Sequence, residues 1–152
     1  METLRLPPKI KVLEALSALV GNRLEVLNEH MCRVKSSDGS RTYTVYVDLS
    51  KGVAYSDDNG TKLRGYIGYP IIAFLMYKKV LPVDEDIGKG LVDIPWRQLN
   101  EKYKKYDIVM SLVLEKLEKE YSIPRYRVLR YVDDVMSRLS KIKLRKLDKL
   151  PL

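Results

Sequence analysis

Basic side chains near the end of the sequence are its clearest candidates for binding chemistry. From Pro124 onward there are 9 lysine and arginine residues and 3 aspartates. Long cationic side chains are the groups with which proteins contact nucleic-acid phosphates, and aromatic side chains beside them can stack on bases. The sequence therefore predicts a nucleic-acid-binding segment formed by Arg125, Tyr126, Arg127, Arg130, Arg138, Lys141, Lys143, Arg145 and Lys146.

The net charge of the chain, +8 overall, is concentrated in the same region. Residues 1–96 carry 13 basic and 12 acidic side chains, whereas residues 97–152 carry 15 and 8. A gradient this steep is typical of proteins that bind a polyanion, either nucleic acid (DNA or RNA) or an acidic surface. The charge pattern favours a small, non-enzymatic nucleic-acid-binding protein.

Two predicted helices, joined at Ser122-Ile123-Pro124, carry this basic segment. The sequence KLEKEY-SIP-RYRVLRYVDDVMSRL resembles a helix-turn-helix, in which the second helix enters the major groove of DNA. The resemblance implies contacts from the first turns of the second helix and phosphate contacts from the tail. Asp133-Asp134 divides the basic surface, which favours backbone contact over base reading. An ordinary helical hairpin with a solvated basic face explains the same residues.

An apolar stripe along the last helix supports an alternative function. Val128, Val132, Val135, Leu139 and Ile142 recur at four- and three-residue steps. This spacing places them on one helix face, which belongs either to the core or to a seam with a partner. The alternative is therefore a protein-interaction or oligomeric subunit, such as a homodimer, that docks through this helix.

A second candidate contact lies around two glycines in the middle of the chain. Gly65-x-x-Gly68 precedes a predicted helix that begins with proline, and such a turn can present backbone N–H groups to a phosphate. Arg64, Tyr66 and Tyr69 would add one cation and two stacking surfaces for a single-stranded base. The plainer interpretation is a glycine turn whose tyrosines pack at the edge of a sheet.

Catalytic and metal chemistry find little support in the sequence. The chain has one His and one Cys, His30 and Cys32, too few for a usual zinc site. Asp84-Glu85-Asp86 falls in a predicted flexible segment, where carboxylates are solvated and not tuned for acid–base work. No strained nucleophile motif surrounds any serine. We expect no metal and no cofactor, and an enzyme would need a site assembled from distant residues.

The spacing of apolar residues predicts an α+β fold with the order α-βββ-α-α-α. A helix over 8–20 is followed by an antiparallel meander of three or four strands between 23 and 66. Turns separate these strands, and Asp57-Asp58-Asn59-Gly60 is interpreted as one of the hairpin turns. A helix that is apolar nearly all round starts near Pro70 and is expected to be the most buried.

We expect these elements to form a single domain over 1–152. Residues 1–82 would hold the first helix, the sheet and the buried helix, and 93–152 would form a helical part with the basic tail. Between them, residues 83–92 are acidic and glycine-containing, and are predicted to be a flexible linker.

Composition also indicates where the protein works. One cysteine permits no intrachain disulfide, and the longest apolar run is too short to span a bilayer. We therefore expect a soluble, cytoplasmic protein that does not enter membranes. The scarcity of glutamine and asparagine beside many charged residues is typical of proteins from hot environments.

Overall fold

The fold, described by a computed structural model over residues 2–151, is α+β as predicted. A helix at the N-terminal end precedes four antiparallel strands, and helices form most of the rest. The helices are α1 (Ile10–Val20), α2 (Asn59–Lys62), α3 (Tyr69–Tyr77), α4 (Glu85–Leu91), α5 (Trp96–Tyr103), α6 (Tyr106–Tyr121) and α7 (Arg125–Leu139). The strands are β1 (Leu24–Val26), β2 (Met31–Lys35), β3 (Thr42–Asp48), β4 (Val53–Ser56) and β5 (Arg145–Lys146).

The sheet has the strand order β1-β2-β3-β4-β5. Its first four strands form the predicted antiparallel meander, because the tight turns between them leave each strand beside the previous one. The fifth strand comes from the basic tail and pairs with β4 in parallel. The backbone N–H of Arg145 donates a hydrogen bond to Gly52 O (2.8 Å). At the preceding residue, Leu144 O accepts a hydrogen bond from Leu4 N (2.8 Å). Part of the predicted tail is therefore a strand.

Helix α3 is the most deeply buried helix of the fold, as its composition predicted. Every residue from Pro70 to Met76 is buried, and Phe74 has no exposed surface. The helix lies against β2, β3 and β4, where it covers Cys32, Val34 and Val45. Within residues 2–151, no helix combines the length and apolar character needed to cross a membrane.

The apolar stripe of α7 belongs to the chain's own core. Val128, Val132 and Val135 have no exposed surface, and Leu139 is 1% exposed. Burying such side chains stabilises a fold by about 1.5–3 kcal/mol each. These four side chains therefore belong to the core and are not available as a seam, while docking of a partner elsewhere on this helix stays a prediction.

The prediction of a flexible linker over 83–92 was wrong, because this segment contains α4. Asp84 caps the helix by accepting a hydrogen bond from Ile87 N (3.1 Å). Ile87 and Leu91 are fully buried, so the helix is anchored to the core. Its glycines suggested flexibility, but Gly88 is needed for packing, because a Cβ there would stand 3.0 Å from Val20 Cβ and closer still to one of its two methyl groups.

The prediction of a hairpin turn at Asp57-Asp58-Asn59-Gly60 was also wrong. This segment leads into the short helix α2. The Asp58 carboxylate caps this helix by accepting from Thr61 N (3.1 Å), as aspartate favours. Because α2 follows β4 directly, the chain leaves the sheet here and returns to it only at β5.

Stability is expected to fall in alkali, because buried acidic groups are protonated in the folded chain. Burial raises the pKa of the Cys32 thiol to about 12 and also raises the pKa of the Tyr131 phenol. The unfolded chain loses these protons first, so the free energy of unfolding should decrease as pH rises from about 9 towards 12. Urea unfolding followed by circular dichroism measures this slope, and Cys32→Ala should make it shallower. A flat profile over this range would contradict the expectation.

Candidate functional site

A cleft of about 390 Å³ lies where α1, the β2–β3 turn, α2 and α5 meet. Unlike the core around it, this cleft is lined mostly by polar, charged and tyrosine side chains, and we call it the polar cleft. Its lining residues are Lys11, Glu14, Arg23, Ser36, Ser37, Arg41, Tyr43, Asp58, Asn59, Gly60, Arg64, Tyr66, Tyr69, Trp96, Arg97, Asn100, Glu101 and Tyr106. The volume is within the range of pockets that bind small molecules.

A buried ion pair on α1 forms one side of the polar cleft. Lys11 Nζ lies 2.9 Å from Glu14 Oε2, and the side chains are 12% and 5% exposed. The spacing of three residues brings the two groups to the same helix face. Burial alone lowers the pKa of Lys11, but the Glu14 carboxylate outweighs this effect and the pKa is raised. Lys11 therefore stays charged, and its ammonium also lies 4.9 Å from the centre of the Tyr106 ring.

Two buried polar atoms in the wall of the polar cleft have no hydrogen-bond partner among the described residues. They are Trp96 Nε1 and Asn100 Oδ1. A third buried oxygen, Glu14 Oε2, has the Lys11 ammonium at 2.9 Å as its partner. Trp96 is 3% exposed and Glu14 4%. Leaving a buried polar group unpaired costs about 1–3 kcal/mol, and such groups mark places where a partner is missing.

Helix α5 brings two of these atoms to the cleft. Trp96 and Asn100 are four residues apart, so they lie on one face of the helix. The helix start is fixed to the β2–β3 turn, where Arg97 N donates to Ser37 Oγ (3.3 Å). Asn100 also reaches α1, since its Nδ2 lies 3.5 Å from Glu14 Oε1. The two unpaired atoms and the Lys11–Glu14 ion pair therefore lie in one group of neighbouring side chains.

Tyrosines form the opposite wall of the polar cleft. Burial raises the pKa of Tyr66 and of Tyr69, so both phenols remain hydrogen-bond donors at neutral pH. Tyr69 packs edge-to-face on Tyr43, with ring centres 6.1 Å apart. Tyr66 lies directly against Gly60, where a Cβ would stand 2.7 Å from Tyr66 Cζ. The absence of a side chain at Gly60 is what leaves room for the Tyr66 ring.

Arginines surround the cleft and give it positive charge. Five basic and three acidic side chains line it, and four of the five basic ones are arginines. Arg41 and Arg64 are exposed, whereas Arg23 is half-buried and donates to Lys35 O (2.8 Å). Arg97 is tied to Asp38 at 3.4 Å and to Glu101 at 3.3 Å. An excess of guanidinium groups suits a carboxylate or phosphate.

The second contact predicted from the sequence is part of this cleft. Arg64, Tyr66 and Tyr69 do come together on its wall, although the tyrosines are not free stacking surfaces. Gly68 does not present its N–H to a ligand, because Gly68 N donates to Thr61 Oγ1 (3.0 Å). The sequence did not identify Lys11, Glu14, Trp96 and Asn100 as part of this site, because they are far from Arg64–Tyr69 along the chain.

Four of the nine residues in the predicted basic segment are engaged in ion pairs within the chain. Arg127 Nη2 lies 3.1 Å from each Asp84 carboxylate oxygen and 3.4 Å from Asp86, and hydrogen bonding to Asp84 raises the Arg127 pKa. The carboxylates that were predicted to be solvated on a linker thus hold this arginine. Three further basic residues have acidic partners. They are Arg125 with Glu118 (3.7 Å), Arg138 with Asp134 (3.2 Å) and Lys146 with Glu2 (3.7 Å).

The remaining members of the segment lie at the surface. They are Tyr126, Arg130, Lys141, Lys143 and Arg145. Helices α6 and α7 meet at Ser122, which adopts the left-handed conformation (φ 57°) that glycine usually takes in such a turn. Nucleic-acid binding by this segment, and the helix-turn-helix role of the two helices, stay predictions.

Comparison with known proteins places the chain in a family. No curated protein and no solved structure matches it. A family model does match residues 4–145, a range that includes every residue lining the polar cleft. The chain therefore belongs to the family described as uncharacterised conserved protein UCP014422.

Proposed function

We propose that this protein binds a small anionic molecule in the polar cleft. The observation that carries the proposal is that two buried polar atoms without a hydrogen-bond partner, Trp96 Nε1 and Asn100 Oδ1, lie in the wall of one cleft beside the buried Glu14 carboxylate. Native structures contain few such groups, and each calls for a partner such as a water, an ion or a ligand. The volume of about 390 Å³ fits a metabolite of modest size.

The chemistry of the unpaired atoms defines the inner end of the ligand. Trp96 Nε1 is a donor and requires an acceptor, whereas Asn100 Oδ1 is an acceptor and requires a donor. An amino, amide or amidine-like group beside a carbonyl meets these needs. Because the two atoms have almost no exposed surface in the free protein, side chains of the wall must rotate before a ligand reaches them.

The arginines define the other end of the ligand. Arg41 and Arg64 are exposed at the cleft and face a solvent-accessible space, where a carboxylate or phosphate can reach them. Guanidinium groups bind such anions with paired hydrogen bonds. The ligand is therefore an anion that also carries hydrogen-bond donors, as amino acids and nucleotides do.

A thermal-shift screen followed by calorimetry tests the proposal. The panel contains inorganic phosphate, amino acids, sugar phosphates and the four nucleoside monophosphates. We expect an amino-bearing anion to raise the melting temperature, whereas inorganic phosphate alone should bind weakly, because it does not reach the inner wall. If no member of any class stabilises the protein at millimolar concentration, the cleft is not a site for this kind of ligand.

Asn100→Leu is expected to weaken ligand binding and to change the stability of the free protein by less than about 1 kcal/mol. The substitution removes an unpaired buried oxygen and introduces a better helix former, but it also removes the hydrogen bond from Asn100 Nδ2 to Glu14 Oε1 (3.5 Å), so the gain and the loss largely cancel. The ligand in turn loses a hydrogen bond, and its affinity should fall roughly tenfold. Urea unfolding and calorimetry give the two numbers.

Gln98→Leu is the matched control for this change. Gln98 lies on α5 but is exposed, and it does not line the polar cleft. Because glutamine and leucine have nearly equal helix propensities, this variant should change stability little and leave ligand affinity unchanged. An Asn100→Leu protein that binds as tightly as the parent would show that the inner wall does not contact the ligand.

A further inference from the structure

The sheet has a second face, opposite the one covered by α3, with a composition of its own. Along β2, β3 and β4 the side chains alternate, so that the neighbours of buried Cys32 and Val45 point to the other side. Most side chains on this second face are partly or fully exposed, although Asp48 and Val53 are buried. The central ones, which we call the open face, are Met31, Arg33, Thr44, Tyr46, Tyr55 and Arg145.

Two tyrosines lie side by side in the middle of the open face. Tyr46 on β3 is paired with Tyr55 on β4, and Met31 on β2 is paired with Tyr46 from the other side. Side chains paired across antiparallel strands are in reach of each other, so the three form one row across the sheet. The His30 ring extends this row, with its centre 5.7 Å from that of Tyr46.

Arginines flank this row on both sides. On one side, Arg33 lies two residues after Met31 on the same face of β2. On the other side, Arg145 of β5 is paired with Val53, which lies two residues before Tyr55 on the same face of β4. Arg33 makes an ion pair with Glu25 at 3.3 Å, but both side chains are more than half exposed. Exposed pairs of this kind contribute little free energy, so a phosphate can compete for Arg33.

We propose that the open face binds single-stranded nucleic acid. Partly exposed aromatic rings such as Tyr46 and Tyr55 can accept unpaired bases by stacking, and the arginines on the two sides of the row can hold the phosphates between successive bases. In a duplex the bases are paired and stacked inside the double helix, so they cannot stack on the tyrosine rings. The inference is independent of the polar cleft, and it moves the polyanion contact predicted for the C-terminal segment onto the sheet, with Arg145 common to both.

Fluorescence anisotropy with labelled oligonucleotides of roughly ten nucleotides tests the proposal. The probes are single-stranded RNA, single-stranded DNA of the same sequence, and the matching duplex. We expect the single strands to bind more tightly than the duplex, with affinity falling as salt rises. Replacing both rings in Tyr46→Ala/Tyr55→Ala should weaken single-strand binding roughly 10- to 100-fold, since stacking on both is lost.

Three matched variants make the result decisive. Tyr46→Phe/Tyr55→Phe keeps the rings and should retain affinity, and circular dichroism checks that every variant is folded. Arg130→Ala changes an exposed cation on α7, away from the sheet, and should have no effect. Asn100→Leu alters the polar cleft and should also leave oligonucleotide binding intact, so that failure of one site is separable from failure of the other.

Several results would overturn the proposal. Equal binding of duplex and single strands would point to a phosphate contact without stacking. Loss of binding in Arg130→Ala, with none in the double alanine variant, would place the contact on the C-terminal helices as the sequence predicted. No binding of any oligonucleotide at low salt would leave the open face as a docking surface for a protein or as plain solvated surface.

Discussion

Lys11→Met is expected to lower the free energy of unfolding by about 3–5 kcal/mol. The substitution leaves the Glu14 carboxylate, which is 4% exposed, without the ammonium that lies 2.9 Å away. An uncompensated buried charge is among the most destabilising changes that a single substitution makes. For a chain of 152 residues the melting temperature should fall by roughly 10 °C, measured by calorimetry or circular dichroism.

Two further variants separate the cause from a general effect of changing a lysine on α1. Lys9→Met is the first of these, and it removes an ion pair with Asp133 at 3.1 Å near the start of the same helix. Because both side chains are about 60% exposed, the loss in the free energy of unfolding should stay below about 1 kcal/mol. The double variant Lys11→Met/Glu14→Leu replaces the whole pair by apolar groups and should recover most of the stability. If the double variant were as unstable as Lys11→Met, the penalty would not come from the stranded carboxylate.

The second large effect is expected at Gly68, where alanine should cost about 2–4 kcal/mol. The backbone there is extended (φ −73°, ψ 162°), which any residue adopts, so the cost is steric. A Cβ would stand 2.6 Å from Asp58 Cγ and still nearer to one of its carboxylate oxygens. Asp58 would have to move, and α2 would lose its cap together with the close packing of the polar cleft wall. Urea unfolding gives the magnitude.

A double-mutant cycle tests this explanation. Asp58→Ala alone should cost about 1 kcal/mol, the usual value of a helix cap. With the carboxylate gone, a methyl group at Gly68 has room, so the double variant should be far less unstable than the sum of the two single variants. Additive losses would mean that the glycine is required for some reason other than its contact with Asp58.

The parts of the fold that could be predicted from the sequence are those with a local pattern. Alternating strands between turn residues and the apolar α3 follow from the side-chain period, which depends only on neighbouring residues. Helix α4 could not be predicted in this way. Its glycines are normally signs of a loop, and here they are required by Val20 and Leu117, which pack against Gly88 and Gly90. The strand β5 has two residues and no period at all.

The same distinction applies to the candidate sites. Arg64, Tyr66 and Tyr69 were found because they stand together in the sequence. Lys11 and Trp96 come from distant helices and meet only in the folded chain. The sequence did contain one sign of the cleft. Glu14 interrupts the apolar face of α1, and a charged residue is unusual at such a buried position. The predicted nucleic-acid surface on α7 rested on charge counts, which do not show that Arg127 is held by Asp84.

The parallel pairing of β4 with β5 affects how this protein folds. Helices α2 to α7 lie between the two strands in the chain, so this pairing joins segments that are far apart in the sequence. Contacts between such distant segments slow folding, because a long loop must close first. Until then β4 is an unpaired sheet edge, which can join the strand of another molecule. The step most exposed to misassembly is therefore the closing of this edge, and aggregation during refolding should increase in variants that weaken β5.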